Sequence, residues 1–256
     1  MKARRLRKSP GGGFCESYDD RKPIFTQKGI TSIRFPKYLK KIAYGAFSAC
    51  VKLQSVILPE TVETFENSIF NLCKSLTSIT FPANMTVMPG YICMDCSSLK
   101  SVTLPDGLVE IGDAAFSGTG LETVEIPETV TVIGGSAFTS TKIKSITIPA
   151  GVKNLDGFGY TALTEVIIPA TVETISSNAF QGCRYLQKVE YEKPTRLTTI
   201  SDFAFAYTAL TEITIPASVT SIGKGFCAGG GYNESTEESK LTNIIVEERP
   251  MAHWGK

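Results

Sequence analysis

The feature that most constrains this chain is a short pattern that returns about every 22 residues. Prolines stand at positions 36, 59, 82, 105, 127, 149, 169 and 216, so the first five intervals are 23, 23, 23, 22 and 22 residues. A fixed period of this length predicts a repeat protein whose units share one structure. Ten three-residue segments of strand type recur in register: Ile33–Phe35, Val56–Leu58, Ile79–Phe81, Val102–Leu104, Val124–Ile126, Ile146–Ile148, Val166–Ile168, Val189–Tyr191, Ile213–Ile215 and Ile244–Val246.

One unit, residues 163–186, shows how the pattern translates into structure. Val166 and Ile168 alternate as in a strand with one buried face, and Pro169 ends the strand because it has no N–H to donate. Two further apolar residues follow three positions apart, and a compact turn then places Phe180. This order predicts a short strand on one side of the unit and helical or 3₁₀ turns with irregular coil on the other.

A unit of this size cannot bury its apolar side chains alone, so the units must stack and cover one another. We therefore predict a leucine-rich-repeat solenoid, a right-handed coil of about ten 20–24-residue repeats with one parallel β-sheet and short helical or 3₁₀ turns opposite. Residues 23–247 are assigned to it, with a flexible insertion at 229–239. Residues 1–22 form a basic, glycine-rich tail that we expect to be disordered, and residues 248–256 form a C-terminal tail.

The unit resembles the BspA-type (Treponema pallidum-like) leucine-rich repeat, L-x-x-[VI]-x-[IL]-P-x-x-[VL]-x-x-I-x-x-x-A-F-x-x-C, over about residues 29–247. The family is known mainly from surface or secreted proteins of bacteria and parasitic protists, and several members are implicated in adhesion. The resemblance implies a non-catalytic adhesion module at the cell surface or outside the cell, with a host or extracellular-matrix protein as ligand. Four Ala-Phe pairs match the template: Ala46-Phe47, Ala115-Phe116, Ala137-Phe138 and Ala179-Phe180.

Charge and hydropathy exclude some classes of protein. The net charge is +1, and five basic residues between Lys2 and Lys8 contribute +5, so the rest of the chain carries 1 − 5 = −4. The body of the chain is therefore not expected to bind nucleic acid. No apolar run approaches the roughly 18 residues of a membrane helix. Arg4-Arg5 is followed by Gly11–Gly13 rather than by an apolar segment, which argues against a signal peptide.

The basic tail keeps a second function open. It is interpreted as a solvated tail, with a polyanion-binding or nuclear-localisation tag as the other reading. An intracellular, cytoplasmic scaffold with a basic N-terminal tail is therefore the alternative to a surface module. Trp254 follows the last repeat, and it either caps the terminal coil or leaves it uncovered. An uncovered end predicts end-to-end self-association.

The cysteines fit the repeat better than they fit a metal site. Cys93-x-x-Cys96 has the spacing of half a zinc motif, but no second pair of ligands accompanies it. Cys93 instead occupies the phenylalanine position of its unit. Disulfides between neighbouring coils are geometrically conceivable. However, threonine replaces cysteine at one corner position, so we expect buried, reduced thiols that make hydrogen bonds. That corner is Cys50, Cys73, Cys96 and Cys183 in some units and Thr119, Thr141, Thr161 and Thr208 in others.

Catalysis has little support in the sequence. The single histidine, His253, lies in the C-terminal tail, which excludes a Ser-His or Cys-His site in the repeats. The glycine runs lack the Lys-Ser/Thr that completes a phosphate-binding loop. No catalytic residue, cofactor or metal site is predicted. In the shortest unit, Phe158 is expected to take the phenylalanine position.

The outward-pointing strand residues are the remaining candidates for binding. In the first half of the chain they are mostly serine and threonine, and in the second half they become charged. We expect the charged half to carry specificity, because charges discriminate between partners. The alternative is that serine and threonine merely suit an exposed sheet. The candidate ligand-binding residues are Arg34, Ile57, Glu125, Glu165, Ile167, Lys188, Glu190 and Glu212.

Overall fold

The structure is a computed structural model that describes residues 29–229 and 240–248. In this part the chain winds into a parallel-stranded solenoid of about eight turns. Three sets of hydrogen bonds connect successive coils, and we call them the strand ladder, the short-strand ladder and the turn ladder. The tails at 1–22 and 249–256 and most of the 229–239 insertion, including Trp254 and its expected cap, lie outside the described residues.

The strand ladder contains the segments that precede the prolines. Its strands pair in parallel and in register, as in Ser55 opposite Ser78 and Glu165 opposite Lys188. Val56 and Val166 point inward and are buried, whereas the residues on either side of them are exposed. The strands, numbered with all others in chain order, are β2 (Ser55–Ile57), β4 (Ser78–Thr80), β9 (Glu165–Ile168), β11 (Lys188–Tyr191), β13 (Glu212–Ile215) and β15 (Asn243–Val246).

The short-strand ladder lies on a second side of each coil. Its two-residue strands also pair in parallel, and the second residue of most of them is buried. These strands are β1 (Lys41–Ile42), β3 (Thr64–Phe65), β5 (Val87–Met88), β6 (Glu110–Ile111), β7 (Val132–Ile133), β8 (Asn154–Leu155), β10 (Thr174–Ile175), β12 (Thr199–Ile200) and β14 (Ser221–Ile222).

This second ladder corrects the predicted helical or 3₁₀ turns and the prediction of a single sheet, because the described residues contain no helix. The spacing of three between Val172 and Ile175 has another cause. A turn closes with the Val172 N–H donating to the Pro169 carbonyl at 3.1 Å, and β10 begins directly after it. The same turn follows Pro36, Pro59 and other strand-end prolines. Two apolar residues three positions apart therefore indicate a turn followed by a short strand, which pairs with the corresponding strands of neighbouring coils.

The turn ladder surrounds the phenylalanine positions on the third side. Alternate amides of each turn donate to carbonyls of the next coil, as in Phe47 N to Ile69 O at 3.0 Å and Phe116 N to Ala137 O at 2.8 Å. Bonds of this kind connect each of the nine consecutive turns from Gly45 to Ala228. Of the three ladders, this one alone is continuous through the described repeats.

The turn ladder requires an unusual backbone. Ser68 and Leu72 have φ angles of 63° and 62°, and other turns repeat this spacing of four residues. Twelve non-glycine residues of the described ranges have positive φ, and all of them lie in these turns. Each such residue costs about 1–2 kcal/mol relative to a right-handed conformation. The bonds between turns and the packing beneath them must offset this cost.

A stack of phenylalanine rings lies beneath the turn ladder. The centroids of Phe116, Phe138, Phe158, Phe180 and Phe205 follow one another at 5.8, 5.6, 5.9 and 5.4 Å, and adjacent rings are nearly parallel. All five are fully buried. The expected placement of Phe158 in the phenylalanine position of the shortest unit is therefore confirmed.

The stack is interrupted once, at Cys93, which is buried in the phenylalanine position as expected. Phe47 and Phe70 stack at 5.7 Å before the interruption. Phe81, from the strand side, meets Phe116 edge-on at 6.3 Å, where the second part of the stack begins.

The repeat count is slightly lower than the predicted ten. The ten segments all lie within the described residues, but Ile33–Phe35, Val102–Leu104, Val124–Ile126 and Ile146–Ile148 form no strand. The coil that begins at Ile213 passes through residues 230–239, which are not described. The last segment, β15, contributes a strand without a coil after it. Eight complete coils remain, those that begin at the segments from Ile33 to Val189.

Most of the corner cysteines and threonines make the expected hydrogen bonds. The thiols of Cys73, Cys96 and Cys183 donate to the phenylalanine carbonyl of the preceding coil at 3.1–3.2 Å. Thr119 and Thr161 instead donate to the phenylalanine carbonyl of their own coil at 2.7 and 2.8 Å. Both residue types therefore satisfy the same buried carbonyls. Thr141 is buried at this position without a hydrogen-bond partner for its hydroxyl in the described structure.

We predict that five thiols react only after unfolding. Cys50, Cys73, Cys93, Cys96 and Cys183 are buried and form no disulfide bond within the described residues. Burial raises the pKa of Cys50 to about 12, and burial also raises the pKa of Cys183. The reactive thiolate is therefore scarce at neutral pH. Thiol counting with a chromogenic disulfide should find these five only in denaturant, and their reaction in the native protein would contradict the ladder assignment.

Replacing one ring of the stack should be costly. We expect Phe116→Ala to destabilise the protein by about 3–5 kcal/mol, because the variant leaves a cavity between Phe81 and Phe138. Tyr44, which is 61% exposed, provides the control, and Tyr44→Ala should change stability by less than about 0.5 kcal/mol. Urea denaturation of both variants measures the difference, and equal midpoints would show that the stack is not a source of stability.

Candidate functional site

The eight predicted binding residues all lie on the outer face of the strand ladder and are all exposed. The structure brings four of them together. Lys188 pairs with Glu165, and Glu190 pairs with Ile167, as opposite residues of β11 and β9. We call these four residues the β9–β11 patch. They lie on two four-residue strands that are hydrogen-bonded along their length, so the patch is presented on a rigid surface.

The electrostatics of the β9–β11 patch are local. Lys188 Nζ lies 2.5 Å from Glu190 Oε1, and this hydrogen bond raises the pKa of Lys188. Glu165 lies across the strand pair from Lys188 and makes no ion pair within the described residues. Ile167 is 52% exposed beside these charges. The patch therefore combines one apolar side chain with three charged ones.

Glu212 is on the next coil, at the position that follows Lys188 in the same row. Its Oε2 accepts a hydrogen bond of 2.9 Å from Asn243 Nδ2 on β15. β13 lies beside β11, although no backbone pairing between these two strands is described. Glu212 thus extends the charged surface of the patch towards the C-terminal end of the solenoid.

The other three predicted residues lie apart from the patch. A bridge between Ser32 and Ser55 places Arg34 beside Ile57, which is 74% exposed, on the first two coils. Five coil spacings separate Ile57 from Ile167, which is at least about 24 Å at 4.8 Å per strand. A single small ligand cannot contact both ends, so the eight residues do not form one site.

Glu125 marks a place where the strand ladder opens. Residues 101–104, 123–126 and 145–148 have the sequence of strands but take part in no backbone hydrogen bond between coils that the structure describes. Between the first two segments lies a cavity of about 520 Å³. We call this cavity the open cleft. Its lining is Val102, Thr103, Leu104, Asp106, Thr123, Val124, Glu125, Ile126, Pro127 and Glu128.

A second groove, which the sequence analysis missed, lies on the short-strand ladder. It has a volume of about 650 Å³, and its lining includes the exposed side chains of Val87 and Val132 and the carboxylates of Glu63, Glu110 and Asp113. The sequence signal was a set of glycines 22 residues apart, Gly90, Gly112 and Gly134, which all line this groove.

The glycines permit the backbones of adjacent coils to approach. A Cβ at Gly112 would lie 2.5 Å from the Gly90 nitrogen and 2.7 Å from the Met88 oxygen. We therefore expect Gly112→Ala to destabilise the protein by about 1–3 kcal/mol through overpacking.

Gly107 provides a matched control for this substitution, because a Cβ there meets nothing within 4 Å. Gly107→Ala should leave thermal unfolding unchanged or raise its midpoint slightly. Calorimetry of both variants tests the close approach, and similar midpoints for the two would contradict it.

The described residues show no arrangement for metal or nucleophilic chemistry. They contain no group of three or more histidine, cysteine, aspartate or glutamate side chains that could hold a metal ion. Partial burial raises the pKa of Asp156, but two backbone N–H groups hold its carboxylate in place. Within the same residues, no helix is long and apolar enough to cross a membrane. The exposed sheet surfaces are therefore the candidates for function.

The fold and these surfaces define a leucine-rich-repeat solenoid. The family model for the BspA type leucine-rich repeat region matches residues 21–144 and 155–246 with six copies. This match covers most of the chain, so the chain belongs to the BspA-type leucine-rich-repeat family. The family model indicates no catalytic activity. Residues 145–154, between the two matched ranges, include one of the strand segments that lack backbone pairing.

Solved structures agree with this assignment. A leucine-rich repeat protein from Bacteroides ovatus is 25% identical, with a TM-score of 0.72, and the match covers 95% of this chain and 69% of that one. The leucine-rich repeat protein of T. pallidum is 27% identical, with a TM-score of 0.52 and coverage of 69% and 76%. A leucine-rich repeat protein from Eubacterium ventriosum is 22% identical, with a TM-score of 0.52, and the match covers 86% of this chain and 61% of that one. At this identity the likeness shows the fold alone. No curated protein matches the sequence.

Proposed function

We propose that this chain is a protein-binding module for adhesion at the cell surface or outside the cell, and that the β9–β11 patch contacts its ligand. The observation that carries the proposal is the patch itself, where Ile167 is half exposed among Glu165, Lys188 and Glu190 on paired strands. An apolar anchor that becomes desolvated within a rim of charged groups is typical of interface hot spots. The ligand is a host or extracellular-matrix protein, a choice supported by the family alone.

Charge should decide which ligand binds. The strand face of the coils that begin at Ile79 and Val102 carries serine and threonine at the rows where Glu165, Lys188 and Glu190 stand later in the chain. Charged groups steer encounters and reject partners of like charge, whereas a serine and threonine surface discriminates weakly. Arg34, Ile57 and Glu125 are too distant to share the same small contact, and they contribute only if the ligand extends along the whole face.

We predict that Glu165→Lys with Glu190→Lys weakens binding to an immobilised basement-membrane extract by about tenfold or more, because two charges of the rim are reversed. The free energy of unfolding should change by less than about 0.5 kcal/mol, since both side chains are exposed. Thr80→Lys, on the same row but on β4, is the matched control and should bind as the unsubstituted protein does.

Two results would contradict this assignment. Equal binding by the double variant and the unsubstituted protein would remove the patch from the interface. Equal losses in the double variant and in Thr80→Lys would show a general charge effect. Surface biotinylation of intact source cells tests the location: labelling before lysis supports a surface module. Labelling only after lysis would favour the alternative, an intracellular scaffold with a basic tail.

A further inference from the structure

The open cleft contains backbone groups that need partners. Just before it, the coils are still joined by Glu122 N donating to Lys100 O at 3.0 Å, and the turn ladder joins the same coils through Phe116 and Ala137 at 2.8 Å. The opening is therefore confined to the strand side. Peptide N–H and C=O groups near a packed core must bond to water or to another backbone. Residues 102–104 and 123–126 thus have the hydrogen-bonding groups of two unpaired strand edges.

The charge of the open cleft is entirely negative. Its lining contains the carboxylates of Asp106, Glu125 and Glu128 and no cation. Lys100 stands before the strand segment and forms an ion pair with Glu122, with a separation of 3.8 Å. Lys144 holds the corresponding position two coils after Lys100 and is not part of the lining. An occupant that matches this surface has an extended backbone and several positive side chains.

We infer that the open cleft binds the basic N-terminal segment of this same chain, Lys2–Lys8, in an extended conformation. The segment carries Lys2, Arg4, Arg5, Arg7 and Lys8 around an apolar Leu6, so five cations meet three carboxylates. Its peptide groups supply donors and acceptors for the backbone groups of the open cleft that make no bond between coils. The inference concerns a surface separate from the β9–β11 patch and does not rest on the ligand proposed there.

The length of the chain before the first coil allows this contact. The described solenoid starts at Gly29, and the open cleft lies three to four coils further along, about 14–19 Å at 4.8 Å per strand. The twenty residues from Ser9 to Lys28 span up to about 66 Å when extended. A tether of this length gives an effective concentration near the millimolar range. Even a contact of modest affinity is then mostly formed.

A peptide-binding experiment with full-length protein tests the inference. In the first variant, K2Q/R4Q/R5Q/R7Q/K8Q, the tethered segment loses its charge and leaves the cleft free. A fluorescein-labelled peptide with the sequence of residues 1–12 is added at low ionic strength, and its anisotropy is followed. We expect the peptide to bind this variant at least about tenfold more tightly than it binds the unsubstituted chain, where the tethered segment competes.

Matched variants locate the contact. Added to the first variant, Glu125→Lys with Glu128→Lys should weaken peptide binding by about tenfold or more, and Glu125→Gln with Glu128→Gln should weaken it less. Glu63→Lys with Glu110→Lys makes the same charge change in the groove of the short-strand ladder and should leave binding unchanged. Thermal unfolding of each variant shows that the solenoid is retained.

Each contrary result overturns a stated part of the inference. Equal losses from the two pairs of lysine variants would mean binding by net charge alone, and a larger loss from Glu63 and Glu110 would move the segment to the other groove. Equal peptide affinity for the unsubstituted chain and the first variant would overturn occupancy by the tethered segment. A concentration-dependent dimer of the unsubstituted chain, dispersed by the Glu125 and Glu128 changes, would replace intramolecular docking with exchange between two copies.

Discussion

The hydrogen bonds between successive turns are the interaction on which the other contacts of this solenoid depend. They run without interruption from Gly45 to Ala228, directly over the stacked phenylalanine rings. Residues with positive φ, two in each turn except the last, allow alternate amides to point along the solenoid axis. The conformational free energy that those residues cost is offset only when a neighbouring coil accepts the hydrogen bonds, so this conformation does not stabilise a single coil. Stacking and local structure are therefore established together.

Because the turn ladder holds the coils together, the other two sides are free to vary. The short-strand ladder is paired in most places, and the strand ladder opens in the middle while remaining paired at β2–β4 and at β9–β11. A paired region presents side chains on a fixed surface, as at the β9–β11 patch. An unpaired region presents backbone groups, as in the open cleft. The two proposed binding surfaces thus differ in chemistry because the ladder beneath them differs in pairing.

The sequence predicts the solenoid, its period, its buried positions and the roles of its corner residues, because each of these follows from a pattern that repeats. It mispredicts the side opposite the strands, where Val172 and Ile175 have a helix-like spacing although a turn and a strand produce it.

The turn ladder is not predicted from the sequence, because residues such as Leu72 and Tyr160 adopt positive φ without the glycine that normally indicates it. The open cleft escapes prediction because its segments have ordinary strand sequences, and pairing between coils depends on how the coils are spaced. The clustering of Glu165, Ile167, Lys188 and Glu190 follows from the repeat register and could be anticipated, whereas the separation of Glu125 from that patch by an open ladder could not.

Residue-resolved amide hydrogen exchange tests the central claim that the turn ladder, rather than the strand ladder, holds the coils together. We expect the amides of Phe116, Phe138, Phe158 and Phe180 to be among the slowest in the protein, because they exchange only when neighbouring coils separate. The amides of residues 145–148, which make no backbone bond between coils in the structure, should exchange faster by about two orders of magnitude or more. Equal protection at residues 145–148 and at the phenylalanine amides, or faster exchange at the phenylalanines, would contradict the account.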